Sequence, residues 1–511
     1  MAKAEETRNR IYSGSNDILS MADGAISEYD IKLDELSARV RIARVENEFI
    51  PIYHLYFPKT EKATEAVLDS IRERLLVEMA IAPEENITKE KMEEIRREFH
   101  NRGMEMIMEE LPRIDEKDAH VLAEILVHKS LGLGTIEIIL KDENLEEIVI
   151  NSAKEPVYVY HRKMGWLKTN ITVPSEMEIY NYAASIGRKV GMQITNLTPL
   201  MDAYLSTGDR TNATLFPVSS KGNTLTIRKF AKKPWTIVDF ISSKTLNEEV
   251  AAFLWTALQY EMNALIVGGT ASGKTSLLSV IMNFIPPNHR IVSIEDTREI
   301  QLPDFLHWVP LTTRPKNPEG KGEITMLDLM VNSLRMRPDR IIVGEIRRSR
   351  EAEVLFEAIH TGHSVYSTLH ANTADETTKR LTNPPIDIPV TMLGALHLIG
   401  VMHRDRRREI RRVFEIAELS GSGNSLELNP IFKWIPSTDE IISLNKPSRI
   451  LDELKLYAGM SYDDFLEDQK EKKSIIQWLV NKGINDINSI GRVVSEYYSN
   501  KKKVLERIKK S

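Results

Sequence analysis

The sequence predicts an α/β protein whose main domain contains a parallel sheet covered by helices on both faces. This prediction depends on four short apolar segments separated by stretches of helical character: residues 264–267, 291–294, 340–343 and 364–367. Continuous apolar strands that alternate with helices are typical of a parallel sheet buried on both sides. At 511 residues the chain is also too long for one compact core, so we expect two or three domains.

Three regions follow one another along the chain. Residues 1–130 form a charged, mainly helical region, in which Ile71, Leu75 and Met79 repeat at helical spacing. This region is either a small helical core or a docking surface for a membrane partner. Residues 131–240 form a smaller α/β domain, and residues 241–511 form the main domain with a helical tail. In the smaller domain a helix is expected near 178–190 and strands are expected at 135–140, 147–150, 157–160, 211–216 and 224–229.

Composition excludes several classes of function. The chain has 68 Lys and Arg against 74 Asp and Glu, and this formal net charge of −6 argues against a dedicated nucleic-acid binder. It has no cysteine, which excludes disulfides, cysteine-based zinc sites and thiol catalysis. No segment approaches the ~20 apolar residues of a membrane span, so we expect any membrane association to be indirect.

A phosphate-binding loop is predicted at residues 268–275, with the sequence GGTASGKT. It directly follows the apolar strand 264–267 and precedes a predicted helix at 276–284, which is the context that this motif requires. The glycines let backbone N–H groups point at phosphate oxygens, while Lys274 neutralises the β- and γ-phosphates and Thr275 ligates Mg²⁺. The predicted nucleotide-binding residues are Gly268, Gly269, Thr270, Ala271, Ser272, Gly273, Lys274, Thr275 and Ser276.

Acids and histidines stand at the ends of the other predicted strands. Residues 294–299, with the sequence IEDTRE, concentrate carboxylates where ligands bind in open α/β sheets, and a water-activating base is expected there. Glu345 follows the strand 340–343 in the manner of a Walker B acid, which positions Mg²⁺ through a bound water. His363 and His370 flank the strand 364–367, and His370 is expected to contact the γ-phosphate.

These motifs, in this order and spacing, resemble the type II/type IV secretion ATPase superfamily, which includes pilus motors, VirB11 traffic ATPases and archaeal GspE-type and archaellum ATPases. Residues 335–347 (RMRPDRIIVGEIR) and 361–371 carry the resemblance most specifically. Thr297, where pilus motors usually have proline, favours the VirB11 and archaeal branches, and the absence of cysteine argues against the bacterial secretion ATPases, which carry a four-cysteine zinc module. The Lys/Glu-rich N-terminal region and the long tail resemble the archaeal GspE-type members most. The resemblance covers residues 140–419.

The resemblance implies a RecA-like P-loop core that hydrolyses ATP with Mg²⁺. It implies a cytoplasmic homo-hexamer, peripheral at the inner face of the cell membrane, that acts on an integral membrane platform protein without binding nucleic acid. By the same resemblance, Glu299 is the general base, Thr275 and Glu345 serve the metal, and Arg210 and Arg228 are candidate arginine fingers. The complete expected set adds Lys274 and His370 to the catalytic residues and Glu295 and His363 to the nucleotide contacts.

Two alternatives remain open from the sequence. A ring-shaped nucleic-acid translocase uses the same ATPase core, and it predicts a basic, aromatic-lined pore and stimulation by DNA or RNA. A nucleotide-dependent scaffold that does not hydrolyse ATP predicts that the acids have no catalytic role. A phosphate-release assay with nucleic acid and with lipid distinguishes these functions.

Overall fold

The computed structural model describes residues 25–33, 36–56, 62–79, 89–205, 208–230, 233–316, 320–422 and 425–510. The chain divides into two compact units, residues 1–232 and residues 233–511, and each contains a nine-stranded sheet. The domain boundaries at residues 130 and 240 stay predictions. Part of the expected helical region, residues 1–24, lies outside the described residues.

A mixed sheet forms the centre of the first unit. Its strands lie in the order β1-β2-β3-β6-β5-β4-β9-β8-β7, and all neighbours are antiparallel except β3 and β6. Strands β1 to β3 were not predicted, and they extend the sheet of the smaller α/β domain into the region expected to be mainly helical. The strands are β1 (Ala25–Leu33), β2 (Leu36–Ala43), β3 (Ile52–Tyr56), β4 (Leu145–Ile150), β5 (Pro156–His161), β6 (Gly165–Thr172), β7 (Leu200–Tyr204), β8 (Arg210–Thr214) and β9 (Thr224–Arg228).

In the described part of this unit, five helices accompany the sheet. The first three pack on one another around a small apolar core that includes Leu68, Ile71, Leu75 and Phe99, so the helical spacing of the sequence is confirmed there. The predicted helix near 178–190 is also confirmed. The helices are α1 (Lys62–Glu78), α2 (Lys89–Glu110), α3 (Glu116–Leu131), α4 (Thr135–Lys141) and α5 (Glu176–Lys189).

The strand predicted at 135–140 is wrong, because this segment forms the short helix α4. Its alternation of isoleucine with polar residues imitates a half-buried strand. In the structure Ile136 and Ile139 lie one helical turn apart, and both are buried in the core of the unit together with Ile138. Burial of three isoleucines in the tertiary structure therefore outweighs the strand preference of β-branched residues.

The sheet of the second unit contains six parallel strands in the order β12-β11-β13-β14-β10-β15, followed by β16, β17 and β18 in antiparallel arrangement. One strand, β14, separates the strand of the phosphate loop from the strand that precedes Glu345, which is the RecA-like order. The strands are β10 (Ala264–Gly268), β11 (Ile291–Glu295), β12 (Trp308–Thr312), β13 (Arg340–Val343), β14 (Ser364–Leu369), β15 (Leu398–Asp405), β16 (Ile410–Ser422), β17 (Ser425–Ile435) and β18 (Glu440–Ser443).

Helices cover both faces of this sheet, as predicted from the continuous apolar strands. Along β10, Ala264 and Ile266 face one apolar core, whereas Leu265 and Val267 face the other. In the described ranges, none of the helices is both long and apolar enough to cross a membrane. The helices of this unit are α6 (Ile237–Ser242), α7 (Glu248–Gln259), α8 (Lys274–Met282), α9 (Met326–Ser333), α10 (Ser349–His360), α11 (Ala374–Thr382), α12 (Val390–Leu393), α13 (Arg449–Ala458), α14 (Tyr462–Asn481) and α15 (Ile487–Lys509).

Candidate active site

The phosphate loop joins β10 to α8 at the carboxyl edge of the parallel strands. β10 is buried along its whole length, and α8 begins at Lys274, directly after Gly273. Gly273 has a φ of 96°, and a Cβ on Gly268 would lie 2.4 Å from the carbonyl oxygen of Met402, so both positions require glycine. The loop ends at a helix amino terminus, where free N–H groups favour a bound phosphate. The predicted strand, loop and helix are therefore confirmed.

Lys274 lies within this loop, with only 9% of its surface exposed. Its ammonium group donates to the carbonyl oxygen of Gly269 at 3.2 Å and to Nδ1 of His370 at 3.3 Å. Burial lowers the pKa of Lys274, and the negative charges of Glu345 and Glu299 oppose this shift. Both carboxylates therefore act electrostatically on the lysine of the loop.

His370 follows β14 at the same edge and lies between Lys274 and Glu345. Because an ammonium group can only donate, Nδ1 of His370 accepts, and the neutral ring carries its proton on Nε2. Nε2 lies 3.1 Å from a carboxylate oxygen of Glu345. Burial and then the charge of Lys274 lower the pKa of His370, while Glu345 opposes the shift. A neutral imidazole thus separates the lysine from the acid.

Arg347 connects two carboxylates that follow neighbouring strands. Its Nε and Nη2 lie 3.0 Å and 2.7 Å from one oxygen of Glu345, and its Nη1 lies 2.6 Å from Asp296. Glu345 follows β13, and Asp296 follows β11. Sequence reasoning did not select Arg347 as a site residue, although its position two residues after the predicted Walker B acid was a signal that could have identified it.

The acidic segment after β11 divides its carboxylates between the interior and the surface. Glu295 is 2% exposed, and its Oε1 accepts the backbone N–H groups of Glu299 at 2.9 Å and Ile300 at 3.0 Å. Burial raises the pKa of Glu295 to about 7. Glu299, in contrast, is exposed. Glu295 therefore holds the backbone that presents Glu299.

His363 lies at the opposite edge of the sheet from the phosphate loop. It precedes β14, and its Nδ1 lies 3.1 Å from Oγ1 of Thr361 and 3.2 Å from the carbonyl oxygen of Ala358. β14 runs parallel to β10, with Val267 beside Leu369, so His370 and not His363 reaches the edge of the loop. Within this unit the structure does not bring His363 to the predicted site.

Arg210 and Arg228 belong to the first unit. They occupy directly opposite positions on the antiparallel strands β8 and β9, and both are exposed. Nε and Nη2 of Arg210 donate to the two carboxylate oxygens of Asp202 at 3.0 Å and 2.7 Å. Its guanidinium also lies 5.4 Å from the centre of the Tyr204 ring. The role of both arginines stays a prediction.

The expected magnesium ligands are Thr275, in the first turn of α8, and Glu345, after β13. Among the residues that the structure describes, no group of three or more His, Cys, Asp or Glu side chains is arranged to hold a metal ion. A hydroxyl and a carboxylate nevertheless suit Mg²⁺, which keeps several waters and takes its other oxygen ligands from phosphates. The donors present therefore fit an ion that arrives with a nucleotide.

Arg411 of β16 is a contact of the phosphate loop that sequence reasoning missed. Its Nε donates to the carbonyl oxygen of Ala271 at 3.1 Å, across a separation of 140 residues. No local pattern distinguishes Arg411 from the other arginines of residues 404–412, because only the pairing of β15 with β10 and β16 brings it to the loop.

Comparison with known proteins gives a consistent family assignment. Residues 207–399 match the model of the type II/IV secretion system protein family. An uncharacterized protein of Methanocaldococcus jannaschii is 36% identical over 383 residues, which cover 73% of this chain and 69% of that protein. Conjugal transfer protein TrbB of Rhizobium radiobacter is 29% identical over 297 residues, covering 56% of this chain and 88% of that protein.

Among solved structures, the VirB11 ATPase of the Brucella suis type IV secretion system is 25% identical, with a TM-score of 0.29. That match covers 56% of this chain and 92% of the VirB11 chain. With the phosphate loop and the surrounding acids and histidine in place, the family model and the extent of the M. jannaschii match lead to one conclusion. The chain belongs to the type II/IV secretion system ATPase family and is an ATPase.

Proposed function

We propose that this ATPase hydrolyses ATP with Mg²⁺ as a homo-hexameric motor of the archaeal GspE type, and that it drives secretion or filament assembly. The ring works at the inner face of the cell membrane against an integral membrane platform protein. The observation that carries the proposal is the position of His370, 3.3 Å from Lys274 and 3.1 Å from Glu345. A loop that holds phosphates beside a neutral histidine and an acid suits phosphoryl transfer to water.

ATP binding changes the partners of Lys274. In the structure its ammonium group donates to a neutral carbonyl oxygen and to a neutral imidazole. Phosphate oxygens are charged acceptors and form shorter, stronger hydrogen bonds, so the ammonium group turns to the β- and γ-phosphates. His370 then loses the donor to its Nδ1, and its ring can turn so that the Nε2–H, which lies beside Glu345, donates to a γ-phosphate oxygen. When the nucleotide leaves, the bond between Lys274 and His370 forms again, which links the histidine to the nucleotide state.

Glu299 takes the proton of the water that attacks the γ-phosphorus. The buried Glu295 accepts the backbone N–H of Glu299, which supports the proposal by fixing the point of the chain from which this side chain extends. Thr275 and Glu345 hold Mg²⁺, which neutralises phosphate charge when it is bound. Arg347 keeps the carboxylate of Glu345 in place through two hydrogen bonds.

Arg210 and Arg228 supply a cation to the γ-phosphate, from the same copy or from a neighbouring copy in the ring. The two arginines lie at directly opposite positions of β8 and β9, so one exposed face of the sheet presents both guanidinium groups, and Arg210 is held by the carboxylate of Asp202. An arginine that meets the transferred phosphoryl group accelerates hydrolysis by ~10³–10⁵ in well-studied cases.

The central test measures phosphate release by the full chain. Glu299→Gln removes the base but keeps the size of the side chain, so we expect turnover to fall by at least ~100-fold while ATP still binds. Glu357→Gln, an exposed change on α10, is the matched control and keeps wild-type turnover. Normal hydrolysis by Glu299→Gln would show that another group is the base.

The motor assignment is tested by assembly and by stimulation. We expect mass photometry with ATP to give the mass of six copies, and phosphate release to rise with membranes that carry the platform protein. Strong stimulation by DNA or RNA without any effect of membranes would favour the nucleic-acid translocase instead. A single-copy mass under conditions of full hydrolysis would contradict the ring.

A further inference from the structure

Arg411 touches the phosphate loop at its left-handed turn. Its Nε donates to the carbonyl oxygen of Ala271, whose φ is 57°. Its Cδ lies 3.5 Å from the position that a Cβ on Gly273 would occupy, so the aliphatic stem of the arginine runs over this glycine. Within the part of the chain that the structure describes, Nη1 and Nη2 of Arg411 have no hydrogen-bond partner. Four N–H groups of a half-exposed guanidinium therefore remain for a ligand of the loop.

Arg411 approaches the loop from the side opposite to His370. The strand of the loop, β10, lies between β14 and β15. His370 follows β14, and Glu345 follows the next strand beyond it, whereas Arg411 lies on β16 beyond β15. A terminal phosphate held by Lys274 and His370, on the β14 side of the loop, would leave the phosphate attached to the nucleoside on the other side, toward β15 and β16.

The neighbour of Arg411 adds positive charge at this point. Arg404 of β15 is its directly opposite partner in the antiparallel pair of β15 and β16. Directly opposite residues of an antiparallel pair are close neighbours on one face of the sheet, so an anion bound by Arg411 also lies near the positive charge of Arg404. The adjacent Arg412 is used differently, since it is buried and its Nε and Nη2 pair with Asp439 at 2.8 Å and 2.9 Å. Of the adjacent residues Arg411 and Arg412, Arg411 is therefore the one that contacts the phosphate loop.

We propose that Arg411, assisted by the charge of Arg404, binds the phosphate nearest the nucleoside of the bound nucleotide. The inference rests on the proposed binding of ATP at the phosphate loop. It gives each contact its own part of the nucleotide: His370 meets the γ-phosphate, Lys274 meets the β- and γ-phosphates, and Arg411 binds the phosphate nearest the nucleoside, which ATP and ADP share. Arg411 thus contributes to the affinity for both nucleotides and does not distinguish between them.

The test is isothermal titration calorimetry of the full chain. One titration uses ATP under conditions that block turnover, and the other uses ADP. We expect Arg411→Ala to lower the affinity for both nucleotides by the same factor, about 10-fold, because one charge-assisted contact is lost in each complex. Arg407→Ala, an exposed change on the turn of the same hairpin, is the control and leaves both affinities unchanged. Unchanged affinities in Arg411→Ala overturn the inference, and loss of ATP affinity alone places Arg411 at the terminal phosphate instead.

Two further variants separate binding from support of the loop. Arg411→Lys keeps a positive charge, whereas Arg411→Gln keeps a neutral donor that can still reach the carbonyl oxygen of Ala271. Recovery of affinity by lysine, and not by glutamine, supports the contact with phosphate, while recovery by glutamine overturns it. Thermal unfolding confirms that each variant is folded. If the wild-type chain binds neither ATP nor ADP, the proposed function itself fails, which is distinct from failure at Arg411 alone.

Discussion

Nε2 of His370 lies 3.1 Å from a carboxylate oxygen of Glu345. The other ring nitrogen accepts from Lys274, so one imidazole touches both the lysine of the phosphate loop and the acid after β13. Lys274, Glu345 and His370 come from three separate segments of the chain, and the imidazole of His370 contacts the other two side chains. A change at any of the three alters the electrostatic environment of the other two.

Removal of this imidazole should slow hydrolysis more than it weakens binding. We expect His370→Ala to lower kcat by about 100-fold, because the γ-phosphate loses a positioned hydrogen-bond partner. ADP affinity should change little, since ADP has no γ-phosphate. Steady-state phosphate release and ADP titration measure the two effects. His360→Ala, an exposed histidine at the end of α10, is the control, and a normal kcat in His370→Ala would remove the histidine from the mechanism.

Arg347 should affect the rate of hydrolysis because it positions the carboxylates of Glu345 and Asp296. Arg347→Lys keeps the charge but cannot contact Glu345 and Asp296 with a planar fork, so we expect kcat to fall about 10-fold. Arg350→Lys is the matched control, because Arg350 forms an exposed ion pair with Glu353 on α10. Equal rates for the two variants would show that Arg347 does not position Glu345.

The left-handed turn of the phosphate loop should not accept a side chain. Gly273 has a φ of 96°, and a Cβ there would lie 3.3 Å from Cε of Met402. We expect Gly273→Ala to abolish detectable nucleotide binding in titration and to cost ~1–2 kcal/mol of stability. Gly459→Ala imposes similar strain, at a φ of 64°, after α13 in open space. It should lower stability comparably and still bind nucleotide; tight binding by Gly273→Ala would contradict the assigned loop geometry.

The buried Glu295 should make stability depend on pH. Burial raises its pKa to about 7, from an ordinary value of 4.5. Between these values the folded protein keeps a proton that the unfolded chain releases, so the free energy of unfolding falls as pH rises from 4.5 to 7, by roughly 3 kcal/mol. It then stays level above pH 7.

Glu295→Gln removes this titration and keeps an oxygen that can accept from Glu299 and Ile300. Urea unfolding of both proteins without nucleotide, at pH 5 and at pH 7.5, measures the effect. We expect the wild-type midpoint to fall relative to that of Glu295→Gln at the higher pH. A difference between the two midpoints that does not change with pH would refute the raised pKa.

Much of the second unit follows from local sequence. The apolar segments at 264–267, 291–294, 340–343 and 364–367 are strands, because each is continuous, short and bounded by turns or helices. The glycines of residues 268–273 and the lysine after them match the phosphate-loop motif, which is defined by residue order and by the flanking strand and helix. The prediction from local sequence was wrong at residues 135–140, which form a helix because their isoleucines are buried in a common core.

By itself the sequence determined the phosphate loop, the family and the identity of Glu345 and His370 as residues near the sheet edge, because these depend on residue order and on the direction of parallel strands. Three features became visible only in the folded protein: Glu295 is buried and accepts the backbone N–H of Glu299, His363 lies at the far edge of the sheet, and Arg411 reaches Ala271. The physical reason is that such contacts arise from the pairing and packing of distant strands, which leave no periodic signal in the chain.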